Sequence, residues 1–448
     1  MYHRQRLGAR FVSIIFFGDK LKIIGFDSWT GGAHHFERLL PALEALSIQL
    51  TLVHTGSWGN EPGCSPERRI NNLLARDITF YGSDSFETVL DIERPDAVIL
   101  LSTDTFAHRA FIRYCKLRSI PTLNLYHGLV NVQDTVSGGV VDYEISRFAY
   151  AQYVLSKIGK LVRHTLPCYA KALLKTKACY GDWRRFILDI IKMSVGKTST
   201  IAADDAGTTK CAVYVPADVG HAVRWYGFKK EDVLVVGNPD FLHFGLKESM
   251  IGHWAIPPSN EIKTIMYIET GFASGGLFFA GAKDFSDHLI DSAQSLATYG
   301  YKLCVKLKPH QVEFNKSVSP SLEEAGIELV SNQDFLSKMM NSSACIVETT
   351  TVAVIPALVG MPLLLANFGN LKSLSFGSVL TSYPRAYLLQ QISDVDAVLH
   401  EDAKVFNKDK LNNWLYLNAG PMPPEKMPDR VVAIVVEMIS ENMKGAIV

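Results

Sequence analysis

A chain of 448 residues with 48% hydrophobic and 20% charged content has the composition of an ordinary globular protein, at a length that suits about two to three domains and excludes wholesale disorder. Lys plus Arg and Asp plus Glu both count 45, so the formal net charge is zero and no overall field directs the protein to nucleic acid. The seven cysteines are scattered without a CxxC pair, which points to a reducing, cytoplasmic setting and away from a disulfide framework or a zinc site.

At the start, MYHRQRLGARFVSIIFFGDK sets a basic head before the apolar run FVSIIFF. The run is short and no small-residue cleavage site follows, so a secretory leader is not expected. No stretch reaches the ~18 apolar residues of a membrane span. From LKIIGF at residue 21 the pattern alternates. GGAHHFERLLPALEAL has helical periodicity, with Phe36, Leu39, Leu40 and Leu43 on one stripe. IQLTLVHTG reads as a strand, PERRINNLLA as a helix, ITFYG as a strand, SFETVLDIER as a helix and DAVILLS as a strand. TFAHRAFIRYCKLR is a helix and PTLNLYHG a strand entering a turn. Such alternation implies a parallel sheet with helices on both faces.

Residues 144–197 interrupt the pattern with a helical, basic insert. Positions 151–200 carry ten Lys plus Arg against two Asp, in a chain that is neutral overall. Alternation resumes at KCAVYVP and runs to VLVVGNPDF. After the Pro-containing IPPSNE, a second unit begins with KTIMYIETG and continues through YKLCVKLKPH, SACIVET and PLLLANF to the periodic helix DRVVAIVVEMISENM. The organisation expected is an α/β chain of two Rossmann-like domains facing a central cleft: 21–250, carrying the insert, and 258–448. Ligands of open parallel sheets bind beyond the C-terminal strand ends.

The polar residues at those ends are the candidate sites. Asp27 ends the first strand, and Gly31 and Gly32 sit in the following turn, where glycine lets a ligand approach the backbone. A tight structural turn is the alternative. His34 and His35 fall in the first helical turn, which can turn one of them to the cleft. His127, before Gly128, sits where an imidazole can move a proton. In the second unit, Lys308 and His310 flank Pro309 after a strand, a pairing suited to a leaving phosphate. Glu348, Thr349 and Thr350 lead from a strand into a helix. Thr there is an ordinary N-cap, and the same geometry offers hydroxyls and N–H groups to a phosphate. Thr270 and Gly271 open a Ser- and Gly-rich loop of phosphate size.

With these residues in view, the chain resembles the GT-B glycosyltransferases of bacterial surface polysaccharide synthesis, in particular the capsule sialyl- and Kdo-transferase types and the CDP-glycerol glycerophosphotransferases. The resemblance lies in the turn His127-Gly128, in Lys308-Pro309-His310-Gln311 where that group has Lys-Pro-His-Pro, in the Thr-rich turn after Glu348, and in the Gly-Asn-Pro of VLVVGNPDF. Gln311 for proline and Glu-Thr-Thr for the Ser-Asp…Ser-Ser pattern are departures that bear on the donor class. The resemblance implies sugar transfer from a nucleotide-sugar donor to a glycan or lipid-linked glycan acceptor. Lys308, His310, Glu348, Thr349, Thr350, Thr270 and Gly271 would then serve the donor, Gly31, Gly32 and His35 the acceptor, and Asp27, His127 and His310 the chemistry. The sole Asp-x-Asp, Asp394-Val395-Asp396, reads as a helix start, so metal-independent catalysis without a cofactor is expected. The basic insert would give peripheral contact with the anionic inner membrane face. A nucleotide-sugar 2-epimerase of the same architecture and a non-catalytic glycan-binding protein are the rival readings.

Overall fold

The computed structural model describes residues 20–129, 159–194, 207–255, 263–276, 278–309, 311–372 and 374–445. The leader-like 1–19, the 144–158 part of the insert, residues 195–197 and His310 lie outside the described residues.

The first sheet has eight strands: β1 Lys22–Asp27, β2 Gln49–His54, β3 Glu67–Ile70, β4 Leu73–Asp77, β5 Ala97–Leu100, β6 Thr122–Leu125, β7 Lys210–Val213 and β8 Val233–Val235. Their order is β3-β4-β2-β1-β5-β6-β7-β8. All pairs are parallel except β3 with β4. β1, β5 and β6 are almost wholly buried, as expected where helices cover both faces of a parallel sheet.

Two expectations fail in this unit. PERRINNLLA is not a helix but an antiparallel hairpin, with Ile70 paired to Leu73 across Asn71 and Asn72. Asn71 takes a left-handed φ of 50°, a conformation that Asn tolerates and that closes a two-residue hairpin. ITFYG is not a strand but a 3-10 turn, Ile78–Tyr81, whose first amides are capped by Asp77 through Thr79 N. The helix expected after β1 is also cut in two, Ala33–Glu37 and Leu40–Glu44, because Pro41 has no N–H to continue the ladder. Its apolar stripe survives the break, and Phe36, Leu39, Leu40 and Leu43 are all buried.

The second sheet holds β9 Lys263–Ile268, β10 Tyr301–Lys306, β11 Glu328–Leu329, β12 Ala344–Val347, β13 Leu363–Ala366 and β14 Ala386–Leu389. Their order, β11-β10-β9-β12-β13-β14, is parallel throughout. Two parallel sheets with crossover helices make two Rossmann-like units, the GT-B class of architecture. The Met427–Gly445 helix returns to the first unit, where Arg430 donates to the Val236 carbonyl at 2.9 Å and Lys210 pairs with Glu437 and Glu441.

The described part of the insert lies between β6 and β7 in sequence. Its helices Leu166–Lys175 and Tyr180–Ser194 pack Tyr169, Leu173 and Phe186 into the core shared with Phe26, Phe106 and Phe111. Both of its acidic groups point inward: Asp189 pairs with Arg109 at 2.9 Å and Asp182 with Arg113 at 2.9 Å. Buried pairs of this kind fix geometry more than they add stability. Among the described residues no helix is long and apolar enough to cross a membrane.

Candidate functional site

In the first unit the C-terminal edge of the sheet presents one register row, Asp27–His54–Asp77, across β1, β2 and β4. Asp27 is buried, accepts from Ser28 N at 2.6 Å and lies 3.6 Å from Nε2 of the buried His108. The Thr105 hydroxyl accepts from the His108 amide and sits 2.7 Å from Nδ1 of its ring, so Thr105 donates there and the ring turns its Nε2–H toward Asp27. A Cβ on Gly32 would come within 2.5 Å of Asp27 Oδ2. A side chain at Gly32 would meet Asp27 and Leu101, and one at Gly31 the Trp29 ring. Gly32 is buried, while Gly31 is exposed. His35 is buried as well, and burial, with His34 beside it, pushes its pKa down to about 2. It is a neutral ring packed against a tilted His34 ring at 3.9 Å and edge-on to His127 at 5.6 Å.

His127 is placed differently. It is exposed, and its Nδ1 donates to the Leu101 carbonyl at 2.9 Å. That bond leaves the Nε2 lone pair free, the state a general base needs. It lines a pocket of about 200 Å³ with Ser102, Asp104, Tyr126, Gly128 and Tyr226. Asp104 stays open to solvent at this pocket while protein crowds it from behind, and the lost hydration raises its pKa. Asp104 and Tyr226 were not legible as site residues. The signal available was Ser102-Thr103-Asp104-Thr105, a strand-to-helix turn of the same kind singled out elsewhere, in which Thr105 does act as the cap.

A chain of polar contacts leads from His35 toward the segment that joins the units. Arg38 lies 3.4 Å from His35 Nδ1, 2.7 Å from His243 Nε2 and 2.8 Å from Asp240. His243 and Asp240 sit in the 3-10 stretch Pro239–Phe244 that follows β8, capped by Asn238 of the Gly-Asn-Pro turn.

In the second unit the strand ends bring together Glu269-Thr270 after β9, Leu307-Lys308 after β10 and Glu348-Thr349 after β12. Glu348 is 1% exposed. It accepts from the Tyr267 hydroxyl at 2.7 Å and from the Thr270 amide and hydroxyl at 3.0 and 2.6 Å. Burial, then the neighbouring Glu269, pushes its pKa up to about 7. Glu269 is also buried, accepts from Lys308 N at 3.0 Å and has its pKa raised by burial. Both Glu348 oxygens are thus engaged within the protein, Oε1 by Tyr267 of β9 and Oε2 by the Thr270 loop, where a ligand hydroxyl was expected. Thr349 likewise is buried and donates to the Ser375 carbonyl at 2.6 Å. Thr350 is half-buried and caps the Thr351–Ala353 turn through Val352 N. Lys306 is buried and donates to the Leu307 carbonyl, while Lys308 is exposed. Gly271 has φ 101°, and a Cβ there would meet Gln311 Nε2 at 2.0 Å and Lys308 Cδ at 2.9 Å. The loop after β9 and the turn after β10 are in contact at that glycine, which no other residue fits. Asp394 stands before the Val395–Val405 helix, and Asp396 accepts from the Tyr301 hydroxyl at 2.9 Å.

No protein-family profile matches the chain and no curated protein matches it. Among solved structures it is similar to the S. aureus MnaA–UDP co-structure at 12% identity and a TM-score of 0.44, over 94% of this chain and 97% of that one. A variant of the wall teichoic acid polymerase TagF aligns at 11% and 0.45 over 95% and 90%. A putative UDP-N-acetylglucosamine 2-epimerase from Listeria monocytogenes aligns at 12% and 0.44 over 94% and 98%. The fold class rests on the sheet topology above and not on this degree of likeness.

Proposed function

We propose that the protein is a glycosyltransferase that moves a sugar from a nucleotide-sugar donor to a capsule or other surface-polysaccharide acceptor. The observation that carries this reading is the contact at Gly271 between the Thr270 loop and the Lys308–Gln311 turn. It sets the exposed Lys308 ammonium beside a glycine-containing loop at the C-terminal edge of a parallel sheet, a place that suits a diphosphate. Glu348, held largely protonated below about pH 7, adds little repulsion there. On this reading Lys308 and His310 take up the charge of the leaving phosphate, in the place a metal would otherwise fill. His127 removes the acceptor proton in the first unit. Calorimetric or thermal-shift titration with CMP, CDP, UDP and GDP tests it. One nucleotide should bind selectively, and Lys308→Ala should weaken that binding at least tenfold. Indifference to all four overturns the reading. Transfer that requires a glycan acceptor separates a transferase from a 2-epimerase.

We infer that the insert serves the acceptor side. With Asp182 and Asp189 turned inward, the outer face of Tyr180–Ser194 offers Arg184, Arg185 and Lys192 beside exposed Ile187, Leu188 and Ile191. A cationic and apolar face suits an anionic membrane surface, and hence a lipid-linked acceptor at the inner face. The protein should co-sediment with anionic vesicles at low salt and release at high salt. Glu at Lys171, Lys175, Arg184 and Arg185 together should abolish this while nucleotide binding survives.

A further inference from the structure

The loop between β2 and β4 brings three metal-binding side chains together from separate stretches of sequence. His54 ends β2, Asp77 ends β4 in register with it, and Cys64 lies on the loop between. His54 Nδ1 is 3.3 Å from Asp77 Oδ2, Cys64 Sγ is 3.3 Å from the same oxygen, and the donor atoms all lie within 4.8 Å of one another. Imidazole, thiolate and carboxylate at tetrahedral angles on zinc, with bonds of about 2.0–2.3 Å, stand about 3.3–3.6 Å apart. Among the described residues no other such grouping of His, Cys, Asp and Glu occurs.

The hydrogen-bond pattern argues that a cation belongs there. His54 and Asp77 are both fully buried. The Gly56 amide donates to His54 Nδ1 at 3.2 Å, which places a lone pair on that nitrogen. A cation at the cluster takes that single lone pair in place of the Gly56 N–H, with Asp77 Oδ2 3.3 Å from the same nitrogen. Asp77 Oδ2 takes one bond from Ser57 N at 3.0 Å, and Oδ1 takes two from Thr79. The Cys64 thiol also donates to Oδ2 at 3.3 Å, and a cation would replace that proton between the two ligands. Asp77 has no lysine or arginine partner among the described residues, so its buried charge is otherwise unbalanced. Cys64 is half-buried, which gives an ion a way in.

We propose that His54 Nδ1, Cys64 Sγ and Asp77 Oδ2 form a binding site for one divalent cation of the zinc class. Mixed N, S and O donors select such an ion over magnesium or calcium. Binding expels the Cys64 thiol proton to solvent. The ion pins the 55–66 loop to the sheet edge. That loop carries Glu61, whose carboxylate accepts from the Thr30 amide and hydroxyl. The ion thus sets the loop that follows Asp27. The site is independent of the proposed transfer chemistry and its test needs no substrate.

The experiment is titration of chelator-treated full-length protein with Co²⁺. One equivalent should produce the thiolate-to-cobalt charge-transfer band and the intense visible bands of a tetrahedral site, and Zn²⁺ should displace it. Cys64→Ala should remove the charge-transfer band, whereas Cys179→Ala, at an exposed cysteine, should keep it. Asp77→Asn should weaken Zn²⁺ binding about 100-fold or more; if it fails to fold, Cys64→Ala decides alone, at a position less buried. Absence of the band in the folded wild type, or its persistence in Cys64→Ala, overturns the site and leaves a hydrogen-bonded Cys–Asp–His cluster.

Discussion

At the edge of the first sheet, His127 and Asp104 turn their polar atoms outward into a pocket, while at the edge of the second, Glu269 and Glu348 turn theirs inward onto the loop after β9. Both edges follow the same parallel topology, and both looked alike as polar residues after apolar strands. The difference is one of burial. His127 spends one nitrogen on the Leu101 carbonyl and lines the pocket with the rest of its ring. Glu348 spends both oxygens on Tyr267 and Thr270. The first edge therefore supplies reactive groups, and the second supplies a shaped backbone with Lys308 at its rim. The buried acids spend the Thr270 and Lys308 amides on fixing the loops, which leaves the Lys308 ammonium as the exposed cation at that rim.

The largest expected effect tests the outward edge. His127→Ala should lower turnover by about 10²–10⁴-fold, the range lost with a general base, and leave the urea midpoint nearly unchanged because the side chain is exposed. Turnover close to wild type in the folded variant would move the proton transfer elsewhere, with Asp104 the next group to test.

The inward edge should respond the other way round. Glu348→Ala leaves the Tyr267 hydroxyl and the Thr270 amide without their acceptor and opens a small cavity. It should cost about 3–4 kcal/mol in urea unfolding. A loss below about 1 kcal/mol would mean that these bonds do not hold the loop.

A pH series sharpens the contrast. The Glu348 pKa is raised in the folded state to about 7, above its ordinary value of 4.5. The folded protein then holds a proton that the unfolded chain releases, so this group's contribution is full below about pH 4.5 and is lost as pH rises through about 7. The decline should be on the order of 2–3 kcal/mol. Glu348→Gln mimics the neutral acid and should flatten that part of the profile. An equal slope in both proteins assigns the titration to another group.

The smallest effect concerns the contact between the first edge and the joining segment. Arg38 and Asp240 are partly exposed, so Arg38→Ala should cost no more than about 1 kcal/mol. A larger loss, measured with and without nucleotide, would show that the joining segment depends on this pair.

The sequence by itself determined the class of fold and the places where a site had to lie. Alternating apolar runs and periodic helices need only local spacing, and burying both faces of such strands leaves little choice but parallel sheets with helical cover. Strand ends followed by polar residues marked Asp27, His127, Lys308 and Glu348 for the same reason. It also held signals that were outweighed: Asn71-Asn72 announces a hairpin, but Glu, Arg and Leu around it favour helix in isolation. Pairing of β3 on β4 at the sheet edge settles that contest, since ladder bonds and burial of Leu73 and Ala75 exceed local propensity. What only the tertiary structure decided is which polar atoms are already spent. Whether Glu348 meets Thr270, whether Gly32 makes room for Asp27, and whether His54, Cys64 and Asp77 converge are questions of contact between segments far apart in the chain. No local spacing encodes those contacts, because they form when the sheets stack their crossovers and bring distant strand ends into one row.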